Sequence, residues 1–219
     1  MICVVTYPEP AWDKKEIARY AGWRGDTDEA APLIEDCIRE AAPVLQYRAV
    51  CEILPIDRTD GLRFGNIVCH SKTLEKALCG CDRLVLLAAT VGAGFDRLLQ
   101  KYSVLSPARA VVLQGLGAER VESLCNTLCD DISASLCPER LAPRVSPGYG
   151  DIPMALQRDI FAALDCERKI GLTLTDGLLM TPSKSVTAIA GITENKSAHR
   201  TGCAACEKKD CAFRTEGTQ

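Results

Sequence analysis

Residues 172–192 read LTLTDGLLMTPSKSVTAIAGI and carry the pattern that decides the fold class. The pattern predicts two strands, Leu172 to Met180 and Ser185 to Ile192, joined by the four residues 181–184. Strands joined by so short a connection pair as an antiparallel hairpin, because a parallel crossover needs a dozen or more residues. The segment therefore favours an antiparallel sheet.

Working outward from this segment, the chain shows more strands interspersed with helices. Tyr47 to Ile56 alternates as a strand, Leu62 to Val68 is predicted to pair with it across a turn at residues 60–61, and Arg83 to Ala89 reads as a buried strand. Apolar periodicity predicts helices over 13–20, 28–42, 71–78, 94–102, 107–136 (interrupted near Gly115 or Gly117) and 154–165. Hairpin-like pairs outnumber strand–helix–strand units, so we predict an α+β fold: a twisted, mainly antiparallel sheet with flanking helices over residues 1–197, followed by a cysteine-containing tail over 198–219.

The composition excludes several classes of protein. The chain has 219 residues, 25% of them charged and 47% hydrophobic, which is typical of a globular domain. A net charge of −3 argues against nucleic-acid binding, which usually requires an excess of Lys and Arg. The longest apolar run, Leu84 to Phe95, is shorter than the roughly 20 residues that cross a bilayer, and no secretory signal opens the chain. We expect a cytoplasmic protein without a membrane partner.

Thirteen cysteines are many for this length. In a reducing compartment such a count indicates core packing and a metal site, not a disulfide lattice. Cys51, Cys125, Cys129 and Cys166 lie in apolar or helical stretches and are predicted to be buried as small hydrophobic residues.

Three cysteines of the tail form a different pattern. Cys203, Cys206 and Cys211 have the spacing C-x2-C-x4-C, and His199 precedes them by four residues. Such a set can bind zinc tetrahedrally, or the three thiolates can hold an iron–sulfur cluster with a fourth ligand from elsewhere. The spacing does not choose between these metals, and the remaining alternative is a frayed tail with incidental thiols.

The most informative loop is RVSPGYGD at residues 144–151. Pro147 restricts the backbone at Ser146, Gly148 allows close approach to a ligand, Arg144 offers a planar fork for a carboxylate, and Tyr149 offers a ring face. These residues are suited to clamping a small zwitterionic ligand similar to an amino acid. A structural turn with Arg144 at the surface is the alternative.

Glu122 lies on the helix that leads into this loop. Its carboxylate could pair with the ammonium group, or lie near the positive sulfur, of such a ligand. As an alternative, Glu122 is one more solvated residue on a helix surface.

At the loop, the sequence resembles the activation (reactivation) domain of cobalamin-dependent methionine synthase. The family's R-P-A-P-G-Y appears here as RVSPGY at 144–149, and its L-T-E-S-x-x-M-x-P is similar to LTDGLLMTP at 174–182, followed by the matching Ser185-Val186. Residues 114–122 align without gaps with the helix that carries the family's ligand-side glutamate, which places Glu122 at that position. The resemblance covers Ala88 to Ile192, and beyond Ile192 the sequence departs from the family into the cysteine tail.

The resemblance implies both a function and the residues of its site. The family domain binds S-adenosylmethionine and presents it to inactive cob(II)alamin, and one electron from flavodoxin then allows methyl transfer. By this resemblance Arg144 would hold the ligand's carboxylate, Glu122 would lie on the ligand side, and the backbone of Ser146 and Gly148 would contact the ligand. Tyr149 would line the sulfonium side and is the candidate catalytic residue.

We therefore expect an S-adenosylmethionine-binding activator, the activation component of a methyltransferase, whose cobalamin is carried by a separate corrinoid protein. Flavodoxin or ferredoxin would supply the electron, or a redox-active cluster in the tail would replace them. Two alternatives remain open at this stage. One is a non-catalytic adaptor that senses S-adenosylmethionine or binds metal while docked on a corrinoid protein, and the other is an iron–sulfur electron donor to it.

Overall fold

The computed structural model describes residues 1–25 and 27–194. In this part of the chain the strands are β1 (Ile2–Tyr7), β2 (Tyr47–Pro55), β3 (Leu62–Phe64), β4 (Ile67–Cys69), β5 (Arg83–Thr90), β6 (Arg140–Leu141), β7 (Thr173–Leu174), β8 (Met180–Thr181) and β9 (Ser185–Thr193). The helices are α1 (Lys14–Tyr20), α2 (Thr27–Ala41), α3 (Lys72–Ala77), α4 (Ala93–Leu105), α5 (Pro107–Leu136), α6 (Leu156–Leu164) and α7 (Cys166–Ile170). A short 3-10 turn, Ala42–Val44, follows α2.

The main sheet has five strands in the order β1-β2-β5-β9-β6, and every neighbouring pair is antiparallel. Its centre, β5, has no exposed residue from Leu84 to Thr90. A strand that is apolar on both sides must be covered on both sides, because each face removes hydrophobic surface from water. The sheet is therefore sandwiched between helical layers, which confirms the predicted α+β class.

Each face of the sheet has its own hydrophobic core. The α5-side cluster joins α1, α2, α4 and α5 to one face, through buried side chains such as Ile17, Ile34, Leu87, Phe95, Leu113 and Leu124. The α6-side cluster joins α3, α6, α7 and the β3–β4 hairpin to the other face, through side chains such as Phe64, Leu74, Leu86, Ile160, Ile170 and Ile189. Cys51, Cys125 and Cys166 are buried in these clusters as predicted, whereas Cys129 is only partly buried.

The predicted hairpin between Leu172–Met180 and Ser185–Ile192 is wrong. β9 pairs instead with β5, in a register that runs from Ser185 opposite Thr90 to Ile192 opposite Arg83. Because Ala188, Ile189 and Ala190 are almost fully buried, β9 needs a partner at the centre of the sheet. The preceding segment is more exposed and folds on itself, with β7 paired to β8.

The predicted pairing of Leu62–Val68 with Tyr47–Ile56 is also wrong. β2 already has β1 on one side and β5 on the other, so it has no free edge. β3 pairs with β4 to form a separate two-stranded sheet. No sequence pattern predicted β1, the second neighbour of β2.

Helix α5 continues through Gly115 and Gly117, so the predicted interruption there is wrong. The two glycines allow close packing instead. A Cβ at Gly115 would come within 2.6 Å of the Ala21 nitrogen and the Ile17 oxygen in the backbone of α1 and its cap. A Cβ at Gly117 would collide with the Phe95 ring. Long α5 is thus the helix on which α1 and α4 pack.

A buried charge fixes the chain ahead of α1 against the same helix. Arg120 of α5 is completely buried, and its guanidinium donates hydrogen bonds to the carbonyl oxygens of Pro10 (2.7 Å) and Ala11 (2.8 Å). Glu119 forms an ion pair with it, and the guanidinium lies 3.9 Å from the centre of the Trp12 ring. Buried charges are tolerated when they are paired and hydrogen-bonded in this way.

Within the described residues, no helix is both long and apolar enough to span a bilayer.

Gly115→Ala tests the close packing of α1 on α5. In an open helix the change would stabilise the protein by about 1 kcal/mol. Here we expect a net loss of about 1–3 kcal/mol in the free energy of unfolding, measured with urea, because backbone atoms of α1 cannot move aside as a side chain can. Gly177→Ala is the matched control, since the atom nearest to its new Cβ is at an ordinary 3.8 Å. A stabilised Gly115→Ala protein would contradict the described contact.

Candidate functional site

The candidate site lies where the chain leaves the edge of the main sheet. After β6, the chain continues along β9: the Ala142 amide donates to Gly191 (2.8 Å), and Val145 and Ile189 exchange two backbone hydrogen bonds of 2.9 and 2.8 Å. The Val145 side chain packs against the α6-side cluster. Because successive side chains of an extended segment point to opposite faces, Arg144 extends to the α5 side.

The guanidinium of Arg144 lies against α5. Its Nη2 donates to Glu122 Oε2 at 2.9 Å and to Asn126 Oδ1 at 3.0 Å, and its Nη1 lies 3.5 Å from the sulfur of Cys129. These three partners follow one another at spacings of four and three residues, so they share one face of the helix. The structure thus brings together Arg144 and Glu122, two of the predicted site residues.

Charge and burial define what this arrangement can bind. The Arg144 side chain is 20% exposed, and Glu122 is 43% exposed at the rim. Burial raises the pKa of the neighbouring Cys125 thiol to about 12, so Cys125 is neutral at physiological pH. Burial also opposes the charged form of Arg144, but the contacts with Cys129 and Glu122 favour that form, and the pKa of Arg144 lies above its ordinary value. The site therefore presents a permanently charged guanidinium whose carboxylate partner is Glu122.

Sequence reasoning missed Asn126 and Cys129. Neither residue belongs to a recognisable motif. Both could have been found from Glu122, because residues four and seven positions further along a helix lie on the same face. A sulfur is a weak hydrogen-bond acceptor. The Nη1 end of the fork is therefore less well paired than the Nη2 end.

The second half of the loop forms a tight turn. The Gly148 amide donates to the Ile152 oxygen (2.9 Å), and the Tyr149 amide donates to the Ser146 oxygen (3.1 Å). Gly148 has a φ of +86°, which favours glycine, and a Cβ there would lie 2.7 Å from the Met154 Cε. The turn thus closes between Ser146 and Ile152, with Gly148 in a conformation that favours glycine.

Tyr149 stands apart from the guanidinium. Its residue is 57% exposed, and within residues 1–25 and 27–194 no hydrogen bond or ring contact joins it to Arg144 or Glu122. The structure therefore does not bring Tyr149 to the Arg144–Glu122 pair, and the loop presents two separate groups, a guanidinium and an exposed phenol ring.

Asp151 fixes the far end of the loop to α3. Its Oδ1 accepts from the Ser71 hydroxyl (2.5 Å) and the Thr73 amide (2.9 Å), and its Oδ2 accepts from the Lys72 amide (2.9 Å). Hydrogen bonds from Ser71 and Thr73 hold the pKa of this carboxyl well below its usual range. Asp151 thus caps the first turn of α3 while it anchors the loop.

A groove of about 350 Å³ lies on the other face of the protein, along α6 and α7. Among its lining residues are Arg158, Asp165, Thr175 and Asp176, and none of the predicted site residues contributes to it. The Arg144 site lies at the edge of the main sheet and does not share this groove.

The predicted metal ligands, His199, Cys203, Cys206 and Cys211, lie outside the described residues. In the part of the chain that the structure describes, no three His, Cys, Asp or Glu residues are placed to hold a metal ion.

No protein-family model and no curated protein sequence matches the chain. Among solved structures, it is similar to the crystal structure of the MetH reactivation domain bound to AdoHcy, with a TM-score of 0.63 and 15% sequence identity. The match covers 91% of this chain and 80% of that one. The chain therefore has the fold of that domain, as the resemblance in its sequence predicted.

Asp151→Asn tests the anchoring of the loop. The neutral amide replaces one acceptor oxygen by a donor and removes the charge, so we expect the melting temperature at pH 7 to fall by about 2–4 °C. The folded-state pKa of Asp151 lies below the unfolded value of about 3.9, so its contribution is present above that pH and is lost as the pH falls through the folded-state pKa.

The difference between wild type and Asp151→Asn should therefore be constant from pH 5 to 7 and shrink in more acidic solution, as followed by circular dichroism. Asp60→Asn, an exposed change in another loop, is the control and should leave the pH profile unaltered. A difference that does not depend on pH would show that the charge of Asp151 is not what anchors the loop.

Proposed function

We propose that the protein is an S-adenosylmethionine-binding activator that supports the reductive remethylation of cob(II)alamin on a separate corrinoid-dependent methyltransferase of the methionine synthase type. One observation carries the proposal: the chain has the fold of a reactivation domain that was solved with AdoHcy, S-adenosylhomocysteine. AdoHcy is what remains of S-adenosylmethionine after it gives up its methyl group. The match of RVSPGY to the family's loop is the sequence support.

Arg144 is the residue to which we assign the ligand's carboxylate. Nη2 is held by Glu122 and Asn126, so the guanidinium is already oriented before a ligand arrives. Nη1 faces only the sulfur of Cys129 among the described residues, and a carboxylate is a far better acceptor than a thiol. A ligand can thus gain a charge-assisted hydrogen bond without breaking the two that hold the fork.

Glu122 and the turn would complete the binding of the amino-acid part. Glu122 is half exposed beside Arg144, where its carboxylate can also receive the ligand's ammonium group. Within the described residues the Ser146 amide and the Gly148 carbonyl have no hydrogen-bond partner, so both are available to a ligand. The exposed ring of Tyr149 is suited to the positive sulfonium, which an aromatic face attracts.

The group-transfer chemistry belongs to the sulfonium of S-adenosylmethionine and to the cobalt of the partner's cobalamin, with one electron from a donor such as flavodoxin or ferredoxin. The protein's own contribution is to bind the methyl donor, orient it and leave its sulfonium side open to a partner. An exposed site at a sheet edge fits this role, since the methyl acceptor lies on another protein. Zinc or an iron–sulfur cluster at the tail cysteines, and a cytoplasmic location in keeping with so many thiols, remain part of the proposal.

Calorimetric titration with S-adenosylmethionine and with its decarboxylated analogue tests the assignment of Arg144. We expect wild type to prefer the intact ligand by about 10- to 100-fold, the range that charge-assisted hydrogen bonds supply. Arg144→Ala should lose that preference and bind both ligands about as weakly as wild type binds the analogue. Arg144→Lys should be intermediate, because lysine keeps the charge but not the fork.

Arg168→Ala is the matched control, since its side chain is 85% exposed on α7 and pairs only with Asp165 among the described residues. It should bind both ligands as wild type does. If Arg144→Ala weakens both ligands equally, Arg144 has a structural role only. If wild type binds neither S-adenosylmethionine nor AdoHcy, the proposed function is wrong.

Methyl transfer separates an activator from a sensor. The protein would be mixed with methyl-labelled S-adenosylmethionine, a one-electron reductant and the cob(II)alamin form of a methionine synthase that lacks its own reactivation domain. We expect label to appear in methylcobalamin, and Tyr149→Ala to slow its appearance about 10-fold with a smaller effect on ligand affinity, because the ring positions the sulfonium. Tight binding of S-adenosylmethionine without any transfer would favour the sensing adaptor.

A further inference from the structure

Two cysteines face each other across the edge of the main sheet. Cys3 of β1 is the direct antiparallel partner of Cys51 of β2. Cys51 belongs to the α5-side cluster, and directly opposed residues of an antiparallel pair point to the same face. The Cys3 side chain therefore lies on that face too. Because β1 is the edge strand, Cys3 is exposed, whereas Cys51 is 6% exposed.

The backbone already holds the two cysteines at the spacing of a disulfide. Directly opposed residues in antiparallel strands have Cα atoms about 4.5 or 5.5 Å apart, and disulfides span about 4.4–6.8 Å. Burial, followed by the interaction with Cys3, raises the pKa of Cys51 to about 11. The strand register therefore places the Cα atoms of the two cysteines in the range that a disulfide spans.

The other described thiols lack this placement. Cys125 and Cys166 are completely buried, and burial raises the pKa of each to about 12. Cys79 and Cys137 are exposed, but neither lies in a strand opposite another cysteine. Among the residues that the structure describes, Cys3 and Cys51 are the one pair that strand register places face to face.

We propose that Cys3 and Cys51 are a redox-active dithiol, a modification site at which a low-molecular-weight disulfide closes a cross-strand bond between β1 and β2. The exposed thiolate of Cys3 attacks one sulfur of the small disulfide, whose S–S bond breaks and releases one thiol. The thiolate of Cys51 then attacks the Cys3 sulfur, forms the protein disulfide and displaces the second small thiol. Two protein thiols are oxidised, and one small disulfide is reduced to two thiols.

The surroundings of Cys51 assign the order of these steps. Cys3 and Tyr7 on β1 and Cys129 on α5 are the titratable groups near it, and its partner on β5 is the apolar Leu87. With a raised pKa, Cys51 is seldom a thiolate at neutral pH. Cys51 therefore attacks second, at the Cys3 sulfur of the mixed disulfide. The rate of this second step should rise about tenfold per pH unit between pH 7 and 9, because the thiolate fraction of Cys51 rises by that factor.

The test is to treat the full chain with oxidised glutathione, block the remaining thiols and digest with trypsin. Cleavage places Cys3 in the peptide 1–14 and Cys51 in the peptide 49–58, so the predicted bond joins two peptides of known mass. We expect the linked pair from wild type. Cys51→Ser should leave Cys3 as a mixed disulfide with glutathione, and Cys3→Ser should leave Cys51 unmodified.

Cys79→Ser is the matched control, because it removes an exposed thiol that has no partner across a strand and should leave the linked pair unchanged. Circular dichroism of each variant establishes that it is folded. Two results would overturn the proposal: a stable glutathione adduct on Cys3 of wild type, or a bond from Cys51 to a different cysteine. Neither result bears on the binding of S-adenosylmethionine, so the proposed function is tested separately.

Discussion

Strand β5 buries apolar side chains on both of its faces, and the rest of the architecture follows from that constraint. Its seven residues from Leu84 to Thr90 have no exposed surface, so helices must cover the sheet on both sides. The same constraint selects β9, which is nearly as buried, as its neighbour. The outer edge of β9 then guides the chain from β6 to Val145 and sets where Arg144 leaves the sheet.

The orientation of Arg144 depends on α5 as much as on the loop. α5 is a 30-residue helix that packs against the sheet and presents Glu122, Asn126 and Cys129 on one face. A long arginine side chain would otherwise lose its rotational freedom only when a ligand binds, at a cost of about 0.5–1.5 kcal/mol. Here two hydrogen bonds from α5 have already fixed it. The loop supplies the charge, and the helix supplies its direction.

The sequence predicted elements better than it predicted their partners. Alternation and composition located β2 and β5, and apolar periodicity located the helices, because these signals are local. The partners of β2 and β9 could not be read in this way, since they depend on which strands are buried on both faces across the whole chain. The predicted interruption of α5 at its glycines is wrong for a similar reason. In the sequence, a glycine that breaks a helix cannot be distinguished from one that allows close packing, and only the position of α1 decides between them.

The residues of the candidate site also divide into those that a local sequence pattern predicts and those that depend on long-range contacts. Arg144 and Glu122 were identified from sequence motifs, whereas Asn126 and Cys129 depend on the helix face that meets the guanidinium. Likewise, the contacts of Asp151 with α3 join residues about 80 positions apart, which no local pattern reveals.

A crystal structure of the protein in complex with AdoHcy is the most direct test of the account. We expect a carboxylate oxygen of the ligand within hydrogen-bond distance of Arg144 Nη1, in place of the Cys129 sulfur, with Nη2 still on Glu122 or Asn126. Ligand density in the groove beside Arg158 and Asp165, with Arg144 still against Cys129, would contradict it.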